Sequence, residues 1–232
     1  MSIVLYDLTG ADPAIRFSPY CWRTKLALKH KGLDYETVPW RFTDKAAIAP
    51  TEQPRVPVIV DGGKWVADSW AIALYLDEAY PARPRLFPDA GARAHARFIN
   101  SWCDWSVLPG SRPLSVPNVF KLIAEQDKVY FRQTREKMLG MPIEEFGADR
   151  AAAFKTFRDA LKPAEVTLGD HAYLHGAEPG YGDIALFGSL LWPYVVCEQD
   201  PIDRASPIGK WFERMLALNG GWVGNAPTAR AR

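Results

Sequence analysis

The tetrapeptide Ser18-Pro19-Tyr20-Cys21 holds residue types that can do chemistry at a place that favours it. It comes after the short apolar run Ile3-Val4-Leu5-Tyr6 and opens a helical pattern. Ser is a preferred N-cap, and Pro is favoured at the first helical position. A helix N-terminus turns free N–H groups and a partial positive charge outward. Such a place stabilises an anion, a thiolate included. In a Cys-x-x-Cys redox motif the first position carries the reactive thiolate. Here that position is Ser18, which has no redox chemistry of its own. Its hydroxyl can donate a hydrogen bond to a thiolate brought by a ligand. A hydrogen bond to a charged group contributes about 1.5–3 kcal/mol, and a helix terminus roughly 0.3–2 kcal/mol. Together they lower a thiol pKa by about 1–3 units. The plain alternative is that Ser18 only caps the helix. Cys21 stands where a resolving cysteine would, without a partner, and reads as a buried or half-buried thiol.

Asp68-Ser69 opens a later helix. A serine there, with its own N–H, can hold a carboxylate. Asp68 can accept bonds from an ammonium. The two groups on one carbon are those of an α-amino acid, although capping alone also accounts for the pair. In Arg55-Val56-Pro57, a cis Pro57 would present the Val56 backbone sideways as an extra strand edge for a peptide. A trans proline would not. Aromatic residues are plentiful, with nine Trp, nine Tyr and eleven Phe. Tyr20, Trp40 and Phe42 from the first part, with Trp102, Trp105, Ser106 and Trp192 from the second, could wall a pocket for a flat aromatic ligand. Core packing is the competing use for each. His171 and His175 have helical metal-pair spacing but no evident third ligand, so no metal site is expected. There is no G-x-S-x-G elbow and no Gly-rich phosphate loop.

The elements that must position these residues fall into two groups. In residues 1–80, Ile3 to Tyr6 reads as a buried strand. A helix follows from Ser18 and ends at Lys29-His30-Lys31-Gly32, with cations in its last turn and Gly as its stop. Tyr35 to Val38 is a second strand. Val56 to Val60 and Lys64 to Val66 flank Asp61-Gly62-Gly63 as a β-hairpin. Ile72, Tyr75, Leu76 and Ala79 then share one helical face. This order is an α/β unit. Residues 81–91, with three prolines and Gly91, read as a linker. Residues 92–232 read as all-helical, with helices expected over 92–105, 128–139, 149–168, 183–196 and 208–218. Loop 109–127, with Pro109, Gly110, Pro113 and Pro117, is expected to form part of a lid.

Composition limits the rest. The 232 residues carry 28 Lys+Arg against 27 Asp+Glu, a net charge of +1, which argues against a nucleic-acid binder. Three cysteines make no disulfide framework and point to a reducing, cytoplasmic setting. The opening Met-Ser-Ile-Val-Leu-Tyr-Asp has no basic region or long apolar run, so no secretory leader is expected there. The longest uncharged stretch, Ile184 to Cys197, is shorter than the roughly 20 residues that span a bilayer and reads as a buried helix, so no membrane partner is expected.

The three motifs in this order resemble the soluble glutathione transferases. The run Ser-Pro-Tyr-Cys-Trp-Arg-Thr-Lys-Leu-Ala-Leu-Lys-His-Lys-Gly (18–32) looks like the bacterial β-etherase branch and the related fungal serine-type enzymes. Arg55-Val56-Pro57-Val58-Ile59 and Ala67-Asp68-Ser69-Trp70-Ala71-Ile72 match the family's glutathione-site segments. The resemblance implies a thioredoxin-like α/β N-terminal domain, an all-α C-terminal domain and a homodimer. It implies glutathione as co-substrate, with Ser18 on its sulfur. Val56, before a cis Pro57, would meet its cysteinyl backbone, and Asp68 and Ser69 its γ-glutamyl end. Arg55 lies in the same glutathione segment. Arg41, Lys45 and Gln53 are candidates for the glycyl carboxylate, with Arg41 ranked first. The activity implied is attack of the glutathione thiolate on an apolar, aromatic electrophile, by conjugation or β-aryl ether cleavage. The alternative is a ligandin-type binder of aromatic metabolites with little turnover. A redox enzyme using Cys21 is the weakest reading, because position 18 holds no cysteine. One departure from the family pattern is Gly180-Tyr181-Gly182-Asp183, where Gly180 replaces a Ser/Thr cap. It is expected to touch folding margin and not chemistry.

Overall fold

A computed structural model of the chain describes residues 2–231. Strand β1 (Ile3–Leu8) leads through a loop to helix α1 (Pro19–His30) and strand β2 (Tyr35–Trp40). Strands β3 (Val58–Asp61) and β4 (Lys64–Ala67) form the expected hairpin, and helix α2 (Ser69–Ala79) follows. The sheet order is β2-β1-β3-β4. β2 runs parallel to β1, with Leu5 opposite Thr37. β3 is antiparallel to β1, with Leu5 opposite Ile59. Parallel pairing of β1 and β2 needs a crossover, and α1 supplies it. Ile3, Leu5, Val58 and Ile59 are buried in the core, as are Leu28 of α1 and Ile72 and Leu76 of α2. This is a thioredoxin-like α/β domain with a mixed four-stranded sheet.

The second domain is helical. It comprises α3 (Ala90–Trp102), α4 (Leu108–Leu122), α5 (Glu125–Leu139), α6 (Arg150–Asp170), α7 (Tyr181–Val196) and α8 (Pro207–Ala217). A π-helical turn over Cys103–Val107 joins α3 to α4 without a break. The lid loop expected over 109–127 is therefore not a loop: most of it is α4. Pro109 sits in the first turn of α4, directly after the π-helical turn. Pro113 and Pro117 lie inside the helix. Their loss is offset by packing, because Gly110, Leu114, Val116 and Val119 are buried. Tertiary burial overrides intrinsic propensity here. No helix among the described residues is long and apolar enough to cross a membrane.

α7 is the axis of this domain and is buried along nearly its whole length. α1 lies against it. A Cβ on Gly188 would come within 2.8 Å of Arg23 Cγ and 3.0 Å of the Pro19 carbonyl oxygen. Only glycine lets the start of α1 approach so closely. Arg23 is wholly buried in this seam. It donates to the Ala185 carbonyl (3.2 Å), Asn100 Oδ1 (3.1 Å), Asp104 Oδ1 (2.8 Å) and Ser189 Oγ (2.8 Å). Further bonds join the domains, among them Tyr181 hydroxyl to the Ser69 carbonyl (3.2 Å), the Ala11 N–H to the Leu122 carbonyl (2.8 Å), and Thr43, whose N–H (3.0 Å) and Oγ1 (2.8 Å) both donate to Asp127 Oδ1.

The glycine cap of α7 has a local reason. Asp183 accepts from the Gly180 N–H (3.0 Å), the Leu174 N–H (2.8 Å) and Trp211 Nε1 (2.8 Å). A Cβ on Gly180 would fall 2.7 Å from Cγ of His175. A Ser or Thr cap would collide with that imidazole. Burial pushes the Asp183 carboxyl up, against the pull of these donors.

Candidate active site

Ser18 is the N-cap of α1, with extended backbone (φ −66°, ψ 121°). Its Oγ accepts from the Cys21 N–H at 3.2 Å. That bond uses an oxygen lone pair and leaves the hydroxyl proton to be donated. Capping and donation to a ligand are thus compatible. Ser18 is 4% exposed, and the little that is open faces a cavity.

This cavity, of about 310 Å³, lies between the domains. The thioredoxin-like side contributes Ser18, Tyr20, Trp40, Phe42, Arg55 and Val56. Helices α4, α5 and α7 contribute Leu108, Arg112, Val116, Tyr130, Arg135 and Trp192, among others. Burial pushes the Tyr20 hydroxyl above its ordinary range, and the charge of Asp104 adds to this. Trp40 donates its Nε1–H to the Asp44 carbonyl at 2.7 Å, which fixes its ring. Phe42 packs edge-on to Phe131, with centroids 5.2 Å apart.

Next to it, the Val56–Pro57 bond is cis. The Pro57 carbonyl accepts from the Asp68 N–H (3.2 Å), which ties segments 55–59 and 67–72 together. Asp68 holds φ +76°, a region unusual for a residue with a side chain. Its Oδ1 caps α2 through the Trp70 and Ala71 N–H groups, both at 3.0 Å. Ser69 is buried at the first position of α2.

The remaining candidates separate. Lys45 and Arg55 line the cavity, whereas Arg41 and Gln53 do not. The Arg41 N–H donates to Asp44 Oδ2 (2.9 Å), and its Nε is buried without a hydrogen-bond partner. Trp102, Trp105 and Ser106 also lie outside the cavity lining. Trp105 is 84% exposed on the outer surface. The π-helical turn carries Trp105 and Ser106, and it turns both outward. Tyr130, Arg112 and Arg135 line the cavity without having been singled out in the sequence. Their spacing in α4 and α5 reads as ordinary helix surface, so sequence offered no signal for them.

Cys21 is fully buried, with its Sγ 4.0 Å from the Tyr6 carbonyl oxygen. Burial pushes its thiol far up, and the nearby Asp7 charge adds to this. Burial also lifts Cys103 to about 12 and Cys197 to about 11. All three cysteines are free and buried. His175 lies 5.9 Å from His95, ring to ring.

A thioredoxin-like domain joined to a helical domain, with a cavity lined by both, defines the class as proteins of glutathione transferase fold. Residues 13–84 match the family model for the glutathione S-transferase N-terminal domain, and residues 94–223 that for the C-terminal domain. The chain belongs to the glutathione S-transferase family. It is 30% identical over 179 residues to glutathione S-transferase U22 of Arabidopsis thaliana, spanning 75% of this chain and 69% of that protein. It is 27% identical over 209 residues to glutathione S-transferase U28 of the same plant, spanning 87% and 82%. Among solved structures, glutathione transferase GSTFuA3 from Phanerochaete chrysosporium superposes with a TM-score of 0.77 at 29% identity, over 97% of this chain and 94% of that one. CsGST63524 of Ceriporiopsis subvermispora, solved in complex with glutathione, gives 0.77 at 26% identity, with the same coverage.

Proposed function

We propose that this protein binds glutathione in the inter-domain cleft and directs its thiolate at an apolar, aromatic electrophile. The observation that carries the reading is the Ser18 hydroxyl, which caps the α1 N-terminus by accepting from the Cys21 N–H and lines the cavity beside the cis Val56–Pro57 bond. The thiol would lie against that hydroxyl. Val56 would pair with the cysteinyl backbone, and Asp68 and Ser69 would take the γ-glutamyl group. Lys45 and Arg55 are better placed than Arg41 to hold the glycyl carboxylate, because they line the cavity. Phe42, Trp40, Tyr130 and Trp192 suit a flat ring. In conjugation the thiolate displaces a leaving group from the electrophile. In aryl ether cleavage it attacks the carbon bearing the ether oxygen, and the phenolate departs. Both begin with one thiolate, so the fungal similarity and the β-etherase-like run 18–32 lead to the same first step. The protein would work as a homodimer in the cytoplasm, a setting that suits three free thiols.

The test is conjugation of chlorodinitrobenzene. Ser18→Ala should lose about 10-fold or more in turnover, from the lost charged hydrogen bond. Unchanged turnover would remove Ser18 from the chemistry. Tight binding of aromatic ligands with negligible turnover across an electrophile panel would favour the ligandin-type reading instead.

A further inference from the structure

The cavity has a charge pattern that attack on an uncharged aromatic does not require. Lys45, Arg55, Arg112 and Arg135 line it, and no Asp or Glu does. None of the four is in an ion pair among the described residues. Lys45 donates to the Pro54 carbonyl (2.6 Å) and lies over the Trp40 and Tyr130 rings at 4.8 and 4.9 Å. With Arg55 it falls to the glycyl carboxylate of glutathione. Arg112 and Arg135 are left over. They come from α4 and α5, on the helical wall that faces the second substrate.

Arg135 is held in place. Its guanidinium lies 4.6 Å from the Phe131 ring centroid and 5.2 Å from that of Phe42. Its Nη1 donates to Thr134 Oγ1 at 2.9 Å. A guanidinium stacked on aromatic rings keeps its fork pre-oriented for a planar anion. Burial lowers its pKa, and the Arg55 and Arg112 charges lower it further. Several cations gathered in a half-enclosed apolar cavity repel one another, and a bound anion relieves that repulsion.

We propose that Arg112 and Arg135 form an anion subsite, so that the preferred electrophiles are aromatic compounds carrying a carboxylate or a comparable anionic group. This rests on the cleft being the site of glutathione attack. The ring would lie among Phe42, Trp40 and Tyr130, with its anionic end against the two guanidiniums.

The experiment compares para-nitrobenzoate with para-nitrobenzamide, which share a ring and differ in charge. Calorimetric titration would be run on the free protein and on protein saturated with S-methylglutathione. The benzoate should bind at least about 10-fold tighter, from charge-assisted hydrogen bonds. The R112Q/R135Q protein should lose that preference with its affinity for glutathione unaltered, and R112K/R135K should retain it. Equal affinity for the two probes in the native protein would overturn the anion subsite. So would a preference that survives R112Q/R135Q, or one lost equally in both double variants. Failure of glutathione to bind the native protein would instead remove the reading beneath it, whatever the probes do.

Discussion

At the scale of the residue, Ser18 Oγ accepts from the Cys21 N–H, which leaves the hydroxyl proton available for the proposed bond to glutathione. The cap and its position were legible in four letters, because a serine before a proline at a helix start fixes both. The cysteines were partly legible. Their count excluded a disulfide framework, but only the fold shows that all three are buried. A raised pKa keeps a thiol protonated until the pH approaches the raised value. With Cys197 at about 11 and Cys103 at about 12, neither is a thiolate at neutral pH, and Cys21 is pushed up as well. A thiol-titrating aromatic disulfide should therefore find no reactive group in the folded protein at neutral pH, and all three after unfolding in urea. Rapid labelling of Cys21 in the native state would revive a redox role. The buried Arg23 was not legible, because its partners Ala185, Asn100, Asp104 and Ser189 lie far along the chain.

At the scale of the element, the sheet, the hairpin and the flanking helices were readable because apolar periodicity sets them. β1, β2 and β3 occupy the expected segments with ends moved by a residue or two. α4 was not readable. Three prolines and a glycine are breakers in isolation, and only the surrounding helices make the segment helical. Gly188 carries the sharpest consequence at this scale. It admits the α1 start, and Ser18 with it, against α7. Gly188→Ala should destabilise by about 1–3 kcal/mol through overpacking, seen as a lower denaturant midpoint. Conjugation should fall with it as Ser18 is displaced. A variant with native stability and turnover would show that the seam yields without consequence.

At the scale of the whole molecule, the two domains share a continuous core and the Arg23 seam, so the cleft between them is defined by packing. The surface carries a second clue. Phe98 is 70% exposed and Trp105 84% exposed, seven residues apart along α3 and the π-helical turn that extends it. Two large exposed apolar side chains this close in sequence are candidates for burial against a partner copy. The proposed homodimer would cover them. Light scattering should give a dimer for the native chain and a monomer for Phe98→Glu combined with Trp105→Glu. A dimer that survives both changes would place the interface elsewhere.

The central claim is that Ser18 ionises the thiol of bound glutathione. Ultraviolet titration of the thiolate in the binary complex measures this directly. In the native protein the thiol pKa should lie about 1–3 units below its free value, and in Ser18→Ala it should return towards that value. A bound thiol with the same pKa in both proteins would contradict the claim.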